Sequence, residues 1–274
     1  MKVLLIGSAV ASLMVGSATA ADLPVKAPPI MAPVAANWTG FYLGVDGGYG
    51  WGVNTGSSFN TNPSGVVGGT GTAAATGATE TPRGGFFGAT AGYNFQSGAF
   101  VWGLETDLQW SGIKGSGTAI VPCCAPGFTA ASATLATSQN LTWFGTTRGR
   151  LGWLASPNLL LYATGGAFYG HEDVAATLSF PAATFFGYPS AAGTTRLGWT
   201  AGAGFEYLFA NNFSAKLEGL YYDMGSISSS FTCPAAATSC NAGFANTANF
   251  DLRGGLVRAG LNWHFSPGPV VARY

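Results

Sequence analysis

The chain has 274 residues, with 11 basic and 11 acidic side chains, so its formal net charge is zero and nothing electrostatic favours nucleic acid as a partner. Charged residues make up only 8% of it, against roughly 25% in soluble domains, which is too few to solvate a soluble surface of this size. After residue 20 no apolar run approaches a membrane helix, and a transmembrane barrel, whose strands alternate, resolves that conflict.

Residues 1–20 read as a secretory signal: Lys2 supplies the charge, Val3 to Val15 the apolar stretch, and Ala18-Thr19-Ala20 a small-residue cleavage site. A membrane anchor fits less well, because the run is short and broken by Gly7, Ser8 and Ser12. Residues 21–37, rich in Pro and Ala, have no usable period and read as a periplasmic leader.

The barrel is expected over residues 38–265, with a tail over 266–274. Trp38 to Trp51 is the first strand, with Phe41, Leu43, Val45 and Tyr49 opposite Tyr42, Gly44, Asp46 and Gly48. The Gly/Thr/Ala-rich stretch Gly52 to Pro82 reads as a mobile loop. Gly84 to Gln96 is the second strand, Ser97-Gly98 a tight turn, and Phe100 to Ser111 the third strand. A second long loop, Gly115 to Ser138, precedes Gln139 to Leu154; Ser156-Pro157-Asn158 then turns into Leu159 to Gly170, whose two faces are not cleanly separated. The third loop runs from His171 to Thr195. Arg196 to Phe209 alternates most clearly, Ala210-Asn211-Asn212 turns into Phe213 to Met224, and a fourth loop, Gly225 to Asn249, leads to the last strand. In that strand Val257, Ala259, Leu261, Trp263 and Phe265 oppose Arg258, Gly260, Asn262 and His264.

Eight strands joined by alternating short and long connections predict an all-β, eight-stranded antiparallel transmembrane β-barrel, an up-and-down meander with short turns on one rim. A soluble sandwich has no reason to sort its loops by length. The apolar faces carry no charge, and the opposite faces place Asp46, Glu105, Asp107, Glu206 and Glu218 inside with Arg148, Arg150, Arg196, Lys216 and Arg258. A three-residue turn at Ala210 to Asn212 sets Glu206 opposite Lys216, and Glu105 and Asp107 fall near the height of Arg150 and Arg148. So narrow a barrel is filled by its own side chains, so this charge network is expected to be a hydrogen-bonded plug; the competing reading is an ion path.

His171-Glu172-Asp173 has acid–base residue types, but no serine is placed beside it and His264 lies at the other end, so no catalytic site is assigned. No ligand spacing supports a metal, and no cofactor is expected. Cys233 and Cys240 can close a small loop and are the favoured disulfide, a link between that loop and Cys123 or Cys124 being the competing option. All eight tryptophans, Trp38 to Trp263, lie near strand ends, as interfacial girdles require.

Six segments carry a resemblance: NWTGFYLGVDGGYGWG (Asn37 to Gly52), GFFGATAGYNFQ (Gly85 to Gln96), GLETDLQWSGI (Gly103 to Ile113), WFGTTRGRLGW (Trp143 to Trp153), LLYATGGAFYG (Leu160 to Gly170) and LVRAGLNWHF (Leu256 to Phe265). Together they resemble the outer-membrane immunogenic protein family (RopB-like small porins) of alphaproteobacteria. The resemblance implies a surface-exposed outer-membrane barrel, exported through a cleaved signal peptide, often labelled porin-like and tied to envelope integrity and host contact; a few relatives are described as haem binders. It also implies that Arg258, Gly260, Leu261, Trp263 and Phe265 form the signal read by the barrel-assembly machinery. Relatives usually stop at that Phe, whereas this sequence continues through SPGPVVARY, where Pro267 and Pro269 oppose a continued strand. Deleting Ser266 to Tyr274 is expected to leave outer-membrane insertion intact or improve it; loss of insertion in membrane fractionation would show the signal to be misassigned.

Overall fold

The computed structural model describes residues 37–53, 56–61, 78–122, 132–179, 188–210, 212–232 and 245–265. The expected signal (1–20), all of the leader but Asn37, the tail and all four cysteines lie outside the described residues. The elements are β1 (Gly40–Gly52), β2 (Gly56–Thr61), β3 (Ala78–Thr79), β4 (Arg83–Ser97), β5 (Phe100–Pro122), β6 (Ser132–Ser156), β7 (Leu159–Ser179), β8 (Tyr188–Ala210), β9 (Phe213–Thr232) and β10 (Ala245–Phe265).

From β4 to β10 each strand pairs antiparallel with the next, β1 pairs with β4, and β10 returns to β1, which closes a ring of eight. The short strand β2 takes the place of β1 along β10 above Gly52, and β3 pairs with β2. Following paired residues once round, from Phe41 through Tyr93, Leu104, Gly149, Gly165, Ala201, Tyr221 and Gly255, returns to β1 at Trp51, ten residues further on. With a rise of ~3.3 Å per residue and ~4.8 Å between strands, that stagger tilts the strands by about 41° and gives a backbone radius of about 8 Å. Side chains pointing inward fill a cylinder of that width.

Alternation within each strand decides what faces outward. On β5, Phe100, Trp102, Leu104, Leu108 and Trp110 are exposed while Val101, Glu105, Asp107 and Gln109 are buried. The same holds for Phe41, Leu43 and Val45 on β1 and for Leu197, Trp199 and Phe205 on β8. These residues form the lipid face. The faces of β7 also separate: Leu160, Tyr162, Thr164 and Phe168 turn inward and Leu161 outward.

On the inner rim, Gly98 adopts a φ of 61° in the two-residue turn that joins Ser97 to Phe100, a conformation glycine takes without strain. Ala210 pairs with Phe213 across a bulge, so the β8–β9 turn is tighter than three residues; beyond the bulge Glu206 and Lys216 are register partners as expected.

The outer half differs from the sequence expectation. Much of what reads as loop is strand: β5 runs to Pro122, β6 begins at Ser132, β7 runs to Ser179, and β9 and β10 extend to Thr232 and from Ala245. Above the outer aromatic girdle the pattern inverts. Ile113, Leu135, Leu141, Phe144, Val174, Ile227, Phe250 and Leu252 point inward and form a hydrophobic core, while Ser116, Thr118, Thr134 and Ser138 are partly or fully exposed. Outside the hydrocarbon a barrel faces water, so apolar groups gain by moving to the interior. A polar, glycine-rich sequence with one apolar residue in two satisfies that condition and reads as a loop.

Candidate functional site: an ion network in the lumen

β1, β5, β6, β8, β9 and β10 each aim charged side chains at the barrel axis, because each places them at inward-facing positions. Glu105 is the hub. Its carboxylate faces Arg148, lies 3.1 Å from Lys216 Nζ, 3.2 Å from Arg258 and 3.6 Å from Arg150, and accepts the Tyr42 hydroxyl at 2.8 Å. Asp107 takes Arg258 at 2.9 Å, Arg148 at 3.3 Å and the Thr146 hydroxyl at 2.6 Å. Glu218 binds Arg148, Arg258 at 3.1 Å and the Tyr162 hydroxyl at 2.9 Å. Asp46 lies 3.6 Å from both Lys216 and Arg258 and accepts from Gln109.

Glu206 forms the inner end of the network. It pairs with Arg150 at 2.7 Å and accepts from Ser214 and, at 2.8 Å, from Asn262. The Arg150 guanidinium also sits 4.1 Å from the centre of the Tyr162 ring, within cation–π range. Glycine opposite these rings is a steric requirement: a Cβ on Gly92 would collide with the Tyr42 hydroxyl.

Three expectations need correction. Glu206 and Lys216 are opposite in register but not ion-paired to one another, because Lys216 reaches up to Glu105 and Asp46 while Glu206 turns to Arg150. Arg196 does not enter the network. It pairs in register with Gly170, the partner of Phe144, and at this strand tilt stands about 6 Å further out than Phe144, so the aromatic layer lies between it and the carboxylates. The partner that sequence reasoning missed is His264, whose Nε2 lies 3.3 Å from Glu206 and 2.8 Å from Ser214 Oγ. The inward parity that selected Arg258 also selects Asn262 and His264, and was the signal available. The height match is also shifted by one pair: Glu105 is opposite Arg148, and Asp107 opposite Thr146.

Both ends of the network are sealed. Outward, Phe86 meets Phe144 edge-on and Phe144, Phe168 and Tyr222 stack, with successive ring centres 5.1, 5.2 and 4.5 Å apart. Inward, Trp38 is not in the girdle with the other tryptophans. It is 1% exposed, packs with Val101, Leu160, Tyr162 and Leu208, donates from Nε1 to the Pro157 carbonyl at 3.1 Å and meets the His264 ring edge-on. Ser214, His264 and Glu206 therefore touch one another, and all three are buried.

His171-Glu172-Asp173 is split by alternation. His171 and Asp173 meet outside at 3.4 Å, and Glu172 points into the outer core. Its position, thirteen residues beyond Leu159, is past the ~9–11 residues that cross the bilayer. Burial first, then the charges of Asp173 and Glu80, raise its carboxyl to about 8. Among the described residues no group of three or more His, Cys, Asp or Glu could hold a metal ion.

The sequence matches the outer membrane protein beta-barrel domain over residues 8–265. The chain belongs to the outer-membrane β-barrel family. This outer-membrane barrel is 37% identical to the 31 kDa outer-membrane immunogenic protein of Brucella melitensis over 82% of the chain and 88% of that protein. It is 32% identical to the 22 kDa outer membrane protein of Rhizobium leguminosarum, over 70% of the chain and 68% of that protein. Among solved structures, Neisserial surface protein A aligns over 83% of the barrel protein and 98% of its own chain, at 12% identity and a TM-score of 0.35. The outer membrane protease OmpT of Escherichia coli aligns over 81% and 97%, at 11% identity and a TM-score of 0.40.

Proposed function

We propose that this outer-membrane barrel is a non-conducting, non-enzymatic scaffold, whose filled lumen gives a stable membrane span and whose outer extension presents surface loops in support of envelope integrity. The observation that carries the reading is the continuous closure of the lumen. Nine charged side chains cross-link six strands, with an aromatic layer outside them and Trp38 below. A diffusion pore needs a water-filled path wide enough to exchange hydration shells, and charged rings around such a path face water rather than one another. Here the carboxylates and guanidinium groups spend their hydrogen bonds on each other and are between 0% and 6% exposed.

Planar-bilayer recording on purified, refolded protein tests this. The expected result is no reproducible step under conditions where a general porin gives nanosiemens steps; regular nanosiemens openings would replace the scaffold with the small-pore reading. The remaining alternative is a surface haem or ligand-binding barrel.

A further inference from the structure

Arg83 on β4 and Lys114 on β5 are direct cross-strand partners, and both are exposed on the outward face. Like charges placed opposite each other in a sheet repel, so the pair weakens the ladder where it stands. Its height is specific. Arg83 lies four residues beyond Phe87 and Lys114 four beyond Trp110, and Phe87 and Trp110 stack at 5.8 Å as part of the outer girdle. At the strand tilt of this barrel, four residues rise about 10 Å along the membrane normal. The two cations therefore stand in the headgroup layer, directly above aromatic rings that meet the acyl chains.

Among the described residues neither makes an ion pair, and Glu80, three residues before Arg83, is buried close enough to Glu172 to raise its carboxyl. Trp51 is the β1 partner of Arg83, and Asn140 is the β6 partner of Lys114. The first carboxylate met beyond Asn140 is Asp173 on β7, about 10 Å from Lys114 at ~4.8 Å per strand and already 3.4 Å from His171. Residues 54–55, 62–77, 123–131, 180–187 and 233–244, outside the described residues, contain no Asp or Glu. Arg253 on β10, by contrast, is flanked by Asp223 and Asp251.

We propose that Arg83 and Lys114, with the Phe87–Trp110 stack below them and Trp51 beside them, form a binding site for a phosphorylated glycolipid of the outer leaflet. The two cations take its phosphates and the girdle takes its acyl chains. Arg83 supplies a planar, bidentate phosphate contact and Lys114 a mobile point charge. The lipid removes the like-charge repulsion, so it stabilises this sector of the barrel as it binds.

Native mass spectrometry of the full refolded chain in detergent tests the proposal, with diphosphoryl lipid A, fully dephosphorylated lipid A and phosphatidylglycerol as probes. One diphosphoryl lipid A per barrel is expected. Because each cation near an anionic surface is worth about fivefold in binding, the double variant Arg83→Gln/Lys114→Gln is expected to bind about 30-fold more weakly. Arg196→Gln, which removes a cation on β8, four strands from β4, is expected to bind as the native chain does. The exchange Arg83→Lys/Lys114→Arg keeps both charges and is expected to retain binding, which separates loss of the site from loss of fold. Binding of the double variant within twofold of native would overturn the site. So would equal binding of dephosphorylated lipid A, and equal binding of phosphatidylglycerol would overturn its assignment to a phosphorylated glycolipid.

Discussion

Replacing Arg148 with Met is expected to destabilise the barrel by about 3–5 kcal/mol, the cost of leaving buried carboxylates without their partner. Arg148 is fully buried and bridges Glu105, Asp107 and Glu218 while its Nε donates to Thr146 at 2.8 Å. Methionine fills much of the same volume, so the loss is electrostatic rather than a cavity. Lys216, Arg258 and Arg150 still reach Glu105, but among the described residues Glu218 keeps only Arg258 and Tyr162. With a urea dependence of ~1–3 kcal/mol per molar, the midpoint for unfolding from lipid vesicles is expected to fall by at least ~1 M. Adding Glu218→Gln to Arg148→Met removes one uncompensated charge and is expected to recover part of the loss. A single-variant cost below ~1 kcal/mol would mean that the network is already hydrated.

The second large effect is a pH dependence with the opposite sign to ordinary acid denaturation. Glu172 is 5% exposed, and its carboxyl is raised from 4.5 to about 8. Below about pH 4.5 the folded and unfolded chains both hold this proton. Between about 4.5 and 8 the unfolded chain releases it and the folded chain keeps it, so stability falls as pH rises through that window and is flat beyond it. The full excursion has an upper limit on the order of 5 kcal/mol. The groups around it explain the sensitivity: Glu80 and Asp173 both raise the carboxyl, and Asp251, Arg253, Gln139 and Tyr222 line the small cavity beside it. Glu172→Gln is expected to remove this slope and to raise stability most above pH 8. Hydrogen exchange of the outer parts of β6 and β7 at pH 5 and pH 9 reads the effect locally. Identical pH profiles in the native and variant chains would contradict it.

How much of this was legible in the sequence depends on where in the bilayer a residue sits. Between the girdles, lipid forces one face of each strand to be uniformly apolar, so Leu197, Trp199 and Phe205, or Trp102, Leu104 and Leu108, announce both strand and orientation. Parity then delivers the lumen: nine of the ten charges expected inside join the network. The exception, Arg196, has the correct parity but stands above the aromatic layer, and parity carries no height. His264 was missed because a histidine one residue from the strand end looks like a rim residue until Trp38 closes over it. The outer core was hidden by its composition: Leu135, Leu141, Val174 and Ala176 alternate with Ser, Thr, Ala and Asn, and the inversion at the girdle is marked only by bulges, between Trp110 and Ile113, Leu141 and Trp143, and Asp251 and Arg253. Ion partners depend on side-chain reach across strands, which is why Lys216 bypasses its register neighbour Glu206.

The most direct test of a closed, filled barrel is a nitroxide scan from Phe100 to Trp110 in vesicles, with the four native cysteines replaced by serine. Power saturation with oxygen and with a water-soluble nickel chelate reads lipid and water access at each position. Labels at Phe100, Trp102, Leu104, Leu108 and Trp110 are expected to be oxygen-accessible, and those at Val101 and Gln109 to be shielded from both reagents. Nickel access at Gln109 would reveal a water-filled lumen, and absence of the two-residue alternation would contradict the barrel itself.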